Sequence, residues 1–199
     1  MEKFKKYINI LDKGFNALSI AFMVFAIVMA ALSVIGFIGI PDVIIGELEG
    51  ELTLGILELD MSESLELDAD RINRVLSVTA LLISLQFAIA CVLLKVLQKL
   101  IAPMKEGQVF HPSVAANIQR LSVYVLIGGF LTELINLADA YFAVSVYDTA
   151  SLFSPDVITD YTYAFEMNGN FVVYAAIIYL LSFVFKYGTE LQTQVDETL

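Results

Sequence analysis

Residues 14–40 read GFNALSIAFMVFAIVMAALSVIGFIGI, a run of 27 residues without one charged side chain. Because a helix rises about 1.5 Å per residue, about 20 apolar residues cross the hydrocarbon core of a bilayer. The run is about twice as long as the apolar part of a signal peptide, and no A-x-A cleavage site follows it. These residues therefore predict a retained membrane-spanning helix.

Three later segments have the same apolar character, at residues 75–97, 121–143 and 167–185. Lipid offers the backbone no hydrogen-bond partners, and these runs lack the alternation of a barrel strand, so each is predicted to be helical. The composition agrees, since 58% of the 199 residues are hydrophobic and 17% are charged, against about 45–50% and about 25% in soluble domains. The predicted fold is an all-α integral membrane protein with a four-transmembrane-helix bundle.

The positions of lysine and arginine predict the orientation of these spans. Nine of the 11 basic residues lie in or beside the segments that would share one side of the membrane with the N-terminus, and the other two are Arg71 and Arg74. Because cytoplasmic loops carry the excess of Lys and Arg, both termini are expected in the cytoplasm. The remaining segments are then an N-terminal interfacial helix at 1–13, outer loops at 41–74 and 144–166, an inner link at 98–120 and a cytoplasmic tail at 186–199.

The N-terminal segment has its own pattern. Phe4, Tyr7, Ile8 and Leu11 recur at helical spacing, and lysines lie mainly on the other faces. This amphipathic pattern predicts a helix that lies on the inner leaflet before the chain turns into the membrane. Specific recognition of an anionic lipid is the less favoured alternative.

Acidic residues are concentrated on the outer side. The outer loops hold 14 of the 22 Asp and Glu residues, so the net charge of −11 divides into −12 outside, +3 inside and −2 within the third span. An acidic chain argues against direct nucleic-acid binding, which needs a basic surface. Apolar and polar residues alternate on either side of Gly55, which predicts a small extracellular β-hairpin in the first outer loop. No EF-hand spacing is present, so a solvated acidic face is favoured over a calcium site.

The third span carries polar residues at Glu133, Asn136 and Asp139. Steps of three turn each position about 60° around a helix, so the three would cover one broad face as an intramembrane polar cluster. Such groups face the bundle interior or a wet cavity. The favoured role is interhelical bonding, and the alternatives are contact with a partner protein and proton or cation chemistry. The candidate interhelical partners are Ser19, Ser33, Ser77, Thr79, Ser84 and Gln86.

No catalytic motif is present in the sequence. It lacks a nucleophile elbow, a zinc-protease signature and a phosphate-binding loop. The single cysteine, Cys91, excludes a disulfide framework and suits packing within an apolar stretch. The single histidine, His111, is expected in a loop just before a helix that starts near Pro112, a residue suited to the first helical position. We therefore predict a protein that is not an enzyme and that holds no cofactor or metal.

Two cytoplasmic segments carry a family resemblance. The link PMKEGQVF at residues 103–110 and the tail YGTELQTQVDETL at residues 187–199 resemble the YoaS-like family of bacterial membrane proteins, a domain-of-unknown-function family. The resemblance covers essentially the whole chain. It implies a multi-pass protein of the cytoplasmic membrane of Gram-positive-type bacteria. It also implies a helix-turn-helix regulator as a partner, since family members are often encoded beside one.

The same segments supply candidate partner-binding residues. In the tail, apolar residues recur every four positions, which predicts a helix with one apolar stripe. This stripe could dock on the inner link or bind a soluble partner. The candidate residues are Lys105, Gly107 and Phe110 in the link and Leu191, Val195 and Leu199 in the tail.

The sequence thus favours a regulatory or sensory membrane protein that acts through a protein partner. One alternative is an immunity protein that meets a cationic peptide at the acidic outer loops, and another is a small transporter that uses Glu133. Small residues at Ala26 and Ala30 and at Gly128 and Gly129 indicate close helix packing, either within the chain or in a homodimer.

Overall fold

The computed structural model describes residues 2–39, 51–54, 57–60, 69–146 and 167–198. Within these ranges the chain forms four α-helices and two short β-strands. They are α1 (Glu2–Ile38), β1 (Glu51–Leu54), β2 (Leu57–Asp60), α2 (Ala69–Lys105), α3 (Pro112–Val146) and α4 (Asn170–Thr198). Each of the four helices is long and apolar enough to cross a membrane. The prediction of four helical spans is confirmed, and the chain is a multi-pass membrane protein.

Every helix is longer than the span predicted for it, although α1 ends before residue 40 and α4 begins after residue 167. The second span was expected at 75–97, whereas α2 begins at Ala69 and ends at Lys105. The fourth was expected at 167–185, whereas α4 continues through the polar tail to Thr198. Polar residues such as Glu, Gln and Lys are good helix formers, so the helices do not stop where the apolar runs stop.

The N-terminal segment is the first part of a longer helix. The helix α1 runs from Glu2 to Ile38 without interruption, so the chain has no turn between residues 13 and 14. Gly14 lies at that boundary, and a Cβ atom added to it would meet no other atom within 4 Å. A single glycine costs a helix only about 1 kcal/mol relative to alanine, which is too little to break a helix of this length.

The connection between α2 and α3 is a tight turn at residues 106–111. The Gln108 N–H donates to the Pro103 carbonyl (3.1 Å) and the Gly107 N–H to the Met104 carbonyl (3.1 Å). Gly107 has φ +84°, so the turn is a Schellman motif with glycine at the left-handed position. Pro103 lies inside α2, and the helix ends at Lys105, two residues before Gly107. The start of α3 at Pro112 confirms the prediction.

The strands β1 and β2 pair in antiparallel register, with Glu51 opposite Asp60 and Leu54 opposite Leu57. Two residues separate the strands, at the place where the alternating pattern turns around Gly55. The rest of the first outer loop, and residues 147–166 of the second, lie outside the described residues.

The helices contribute to two compact units. The first unit takes its residues from Met1–Ile27, Ser84–Glu133 and Asn168–Leu199, and the second from Val28–Ile83 and Leu134–Met167. In the first unit, helices that follow one another in the chain also pack together: hydrogen bonds join α1 to α2 and α2 to α3, and a glycine contact joins α3 to α4. Its buried apolar side chains include Ile8, Leu94, Val114, Ile118 and Leu131.

In the second unit, serine and glycine let α1 and α2 approach closely. The Ser33 hydroxyl donates to the Ser77 carbonyl (2.8 Å), and the Ser77 hydroxyl donates to the Asn73 carbonyl (2.6 Å). A Cβ atom on Gly36 would overlap the Ser77 Oγ atom. Small residues at a contact let helix backbones come together, which is the main source of helix association in lipid.

Candidate functional site

Glu133 is the buried acidic residue of α3. Its side chain is 7% exposed, and its Oε2 atom accepts a hydrogen bond from the Asn168 N–H at 3.3 Å. Asn168 precedes α4, and its own Oδ1 atom accepts from the Asn170 N–H at 3.2 Å. The carboxylate thus lies beside the N-terminus of α4, where the helix dipole and the unpaired N–H groups favour a negative charge.

The interhelical role favoured for Glu133 is therefore supported, but with a partner that the sequence did not indicate. None of the six expected side chains bonds to it in the described residues. Instead, the Ser84 hydroxyl donates to the Ala26 carbonyl (2.8 Å), and Ser33 and Ser77 bond to backbone carbonyls as described above. The signal that could have identified the partner is Asn168-Gly169-Asn170 before an apolar run, since asparagine is a favoured N-cap residue.

Asn136 and Asp139 do not share the burial of Glu133. Both side chains are exposed, whereas Glu133 is buried; the intramembrane polar cluster stays a prediction. The reason for the difference in burial is geometric: two steps of three residues turn Asp139 about 120° away from Glu133 around the helix axis. Of the three residues, Glu133 is therefore the one whose side chain is buried.

A second polar contact joins α2 and α3 next to Glu133 in the sequence. The Gln86 Nε2 atom donates to the Thr132 hydroxyl (3.2 Å), and that hydroxyl donates to the Gly128 carbonyl (3.0 Å). Among the described residues, the Gln86 Oε1 atom is buried and accepts no hydrogen bond. These groups join helices and bring no nucleophile together with a base.

The paired small residues lie at helix contacts within the chain. A Cβ atom on Gly129 would overlap the Phe171 side chain of α4, whereas one on Gly128 would lie 3.5 Å from Ile89 of α2. Cys91 is buried, as expected, and its thiol donates to the Ser19 carbonyl at 2.9 Å. Close approach in the first unit therefore accounts for Gly129, whereas Gly128 has room for a Cβ atom.

The candidate link residues are held by contacts with α1 and α4. Lys105 forms an ion pair with Asp12 at 2.7 Å, and the Gln98 Nε2 atom donates to the Asp12 carbonyl at 3.1 Å. The Phe110 ring lies 5.9 Å from the Phe185 ring, and a Cβ atom on Gly188 would lie 2.5 Å from Phe110. The link is thereby fixed against the base of the tail.

The candidate tail residues lie on the helical extension of α4. Leu191 and Val195 are 45% and 56% exposed, so the tail stripe is not buried by docking on the inner link. Leu199 lies outside the described residues. Because Gly188 contacts Phe110 and Leu191 follows three residues later, the link and the tail stripe belong to one surface of the first unit. We call Lys105, Gly107, Phe110, Leu191 and Val195 the link–tail surface.

His111 helps to start α3. Its Nδ1 atom accepts from the Ser113 N–H (3.2 Å) and lies 2.7 Å from the Ser113 hydroxyl, while its carbonyl accepts from the Val114 N–H (2.9 Å). These bonds satisfy N–H groups that a helix start leaves free. The histidine therefore acts as an N-cap, in the loop position expected for it.

Comparisons with known proteins add no relative. No family model, no curated protein and no solved structure matches the chain. The resemblance to the YoaS-like family therefore stays a prediction.

Proposed function

We propose that this chain is a non-enzymatic protein of a bacterial cytoplasmic membrane that acts in a regulatory or sensory role through a soluble protein partner. The observation that carries the proposal is the contact of Phe110 with Phe185 and Gly188, which joins the inner link to the tail helix. An exposed apolar stripe on a helix is what helix-in-groove recognition uses, and the fixed link lies beside that stripe. In this proposal both termini, and hence the link–tail surface, lie in the cytoplasm.

The charge of the tail indicates the chemistry of the partner. Leu191 is flanked by Glu190, and Asp196 and Glu197 follow five and six residues after it. An acidic helix with an apolar stripe suits a basic groove lined by apolar side chains. A helix-turn-helix regulator, the partner that the family resemblance implies, carries such a basic surface for DNA. Binding at the membrane would compete with DNA for the same charges.

The test is affinity purification of the full chain from native membranes. We expect Leu191→Asp to lose the partner, because the substitution puts a charge into the apolar stripe. Gln192→Asp is the matched control, since it adds the same charge to the next exposed position of the same helix. Equal recovery of the partner with both variants, at wild-type membrane levels, would exclude the tail stripe as the binding surface.

We further propose that β1 and β2 form a small hairpin on the outer side of the membrane, within the acidic first outer loop. The pairing of Glu51 with Asp60 supports it, as does the placement of lysine and arginine, which assigns this loop to the outer side. This assignment depends on the orientation of the termini, which cysteine labelling can measure.

A further inference from the structure

A groove in the second unit combines apolar walls with two arginines at one end. Its volume is about 790 Å³, within the range of small-molecule sites. The arginine end is formed by Arg71 and Arg74 of α2 and Tyr141 of α3. The far end is formed by Leu82 of α2 and Leu134 of α3. The groove therefore runs from a cationic end into the apolar part of the two helices.

The length of the groove matches one leaflet of a bilayer. Arg71 and Leu82 are eleven residues apart on one helix, which corresponds to about 16 Å along its axis. Half of a hydrocarbon core of about 30 Å is about 15 Å. A groove that begins at Arg71 beside the headgroups would end at Leu82 near the middle of the membrane.

The charges at the arginine end select the headgroup. Arginine stays protonated at physiological pH and binds phosphate oxygens with two parallel N–H groups. Arg74 has an exposed side chain with no ion pair to a described residue, and no acidic side chain is among the described residues that line the groove. Basic pockets between membrane helices bind anionic headgroups on the cytoplasmic side of membranes, and the same phosphate chemistry applies at this arginine end.

We propose that this groove binds one anionic phospholipid, with an acyl chain between α2 and α3 and the headgroup phosphate at Arg74, beside Arg71. The lipid comes from the leaflet that the arginine end of α2 faces. The proposal is independent of the partner proposed above, because it concerns residues of the second unit alone. It also assigns a role to Arg71 and Arg74, the two basic residues that lie outside the segments assigned to the cytoplasm.

The test uses the absence of tryptophan from the sequence. Leu82→Trp places a single fluorescent reporter in the groove, and Leu81→Trp places it at nearly the same depth on an exposed position outside the groove. The full chain is reconstituted in phosphatidylcholine vesicles that contain either brominated phosphatidylglycerol or brominated phosphatidylcholine. Bromine quenches a nearby indole, so the ratio of the two quenching curves gives the relative affinity for the anionic lipid at each reporter.

We expect a preference of at least about fivefold for phosphatidylglycerol at Leu82→Trp and a ratio near one at Leu81→Trp. Adding Arg71→Gln and Arg74→Gln should abolish the preference, whereas Arg120→Gln, which removes the remaining arginine, should leave it. Equal ratios at the two reporters would overturn the proposal and leave only bulk lipid at this surface. So would a preference that survives loss of both arginines.

A second measurement avoids the tryptophan substitutions. Native mass spectrometry of the otherwise unaltered chain, released from mixed-lipid vesicles, counts the phospholipids that remain bound. We expect one retained phosphatidylglycerol, lost with Arg71→Gln and Arg74→Gln and kept with Arg120→Gln. Retention of phosphatidylcholine and phosphatidylglycerol in proportion to their abundance would overturn the proposal.

Discussion

The carboxylate of Glu133 accepts a backbone hydrogen bond just before α4, so we expect its acceptor oxygen to contribute to stability. Glu133→Gln keeps an oxygen at this position, and we expect it to change the free energy of unfolding little. Glu133→Ala leaves the Asn168 N–H without that acceptor, which costs about 1 kcal/mol in a membrane protein. The measurement is thermal unfolding in detergent, followed by labelling of Cys91 with a fluorogenic maleimide.

Cys91 suits this measurement because it is the single thiol of the chain and is buried in the fold. The control is Asn136→Ala, which removes an exposed polar side chain from the same helix less than one turn away. We expect the control to leave the unfolding midpoint unchanged. If Glu133→Gln destabilises as strongly as Glu133→Ala, the negative charge rather than the hydrogen bond holds α4.

At the scale of elements, the glycine pair of α3 gives opposite predictions for neighbouring positions. Gly129→Ala would bring its Cβ atom into the Phe171 side chain, so we expect a loss of about 1–3 kcal/mol from overpacking. Gly128→Ala would make an ordinary contact with Ile89, so we expect a gain of up to about 1 kcal/mol from better helix propensity. The measurement is the unfolding midpoint of each variant. Equal shifts of the two midpoints would contradict the packing described for Gly128 and Gly129.

The turn between α2 and α3 gives a second matched pair. Gly107 has a left-handed backbone and empty space around its Cα atom, so Gly107→Ala tests backbone strain alone. We expect it to cost about 1–2 kcal/mol. Gly14→Ala also enters empty space, but inside α1, where alanine should stabilise the helix by up to about 1 kcal/mol. A neutral Gly107→Ala would mean that the Schellman turn is not required.

The number of helices could be predicted from the sequence because long charge-free apolar runs, such as residues 14–40, are typical of membrane-spanning helices and not of soluble domains. Their ends could not, because a helix continues wherever its polar residues permit, as α4 does beyond Lys186. Pro112 indicated the start of α3, and Gly107 makes the turn that follows α2, whereas Pro103 does not end that helix. The partner of Glu133 depends on which residues of two helices share one depth, and spacing within one helix does not contain that information.

At the scale of the whole molecule, the charge distribution assigns the two proposed binding surfaces to opposite sides of the membrane. The side assigned to the cytoplasm carries most of the lysines and the link–tail surface, whereas Arg71 and Arg74 stand among the 14 acids assigned to the outer side. A protein partner at one surface and an anionic lipid at the other would give a sensory protein an input and an output. Loss of either interaction without loss of the other would show that the two act separately.

The orientation of the termini across the membrane can be measured because the chain has a single cysteine, which is easily replaced. In a Cys91→Ala background, one new cysteine is placed either at Thr193, in the tail, or at Glu49, in the first outer loop. Because nine basic residues are assigned to the inner side and two to the outer side, we expect a membrane-impermeant maleimide to label Glu49→Cys on intact cells. Thr193→Cys should react only after the cells are permeabilised.

The matched reference for this labelling is the Cys91→Ala background alone, which should not react under either condition. Labelling of Thr193→Cys on intact cells, together with protection of Glu49→Cys, would reverse the orientation and place the link–tail surface outside the cytoplasm. A soluble cytoplasmic partner would then have no access to Leu191, because the bilayer would separate them. The proposal of a cytoplasmic partner therefore depends on this one asymmetry of lysine and arginine, whereas the lipid groove requires only that Arg71 and Arg74 lie near a headgroup layer.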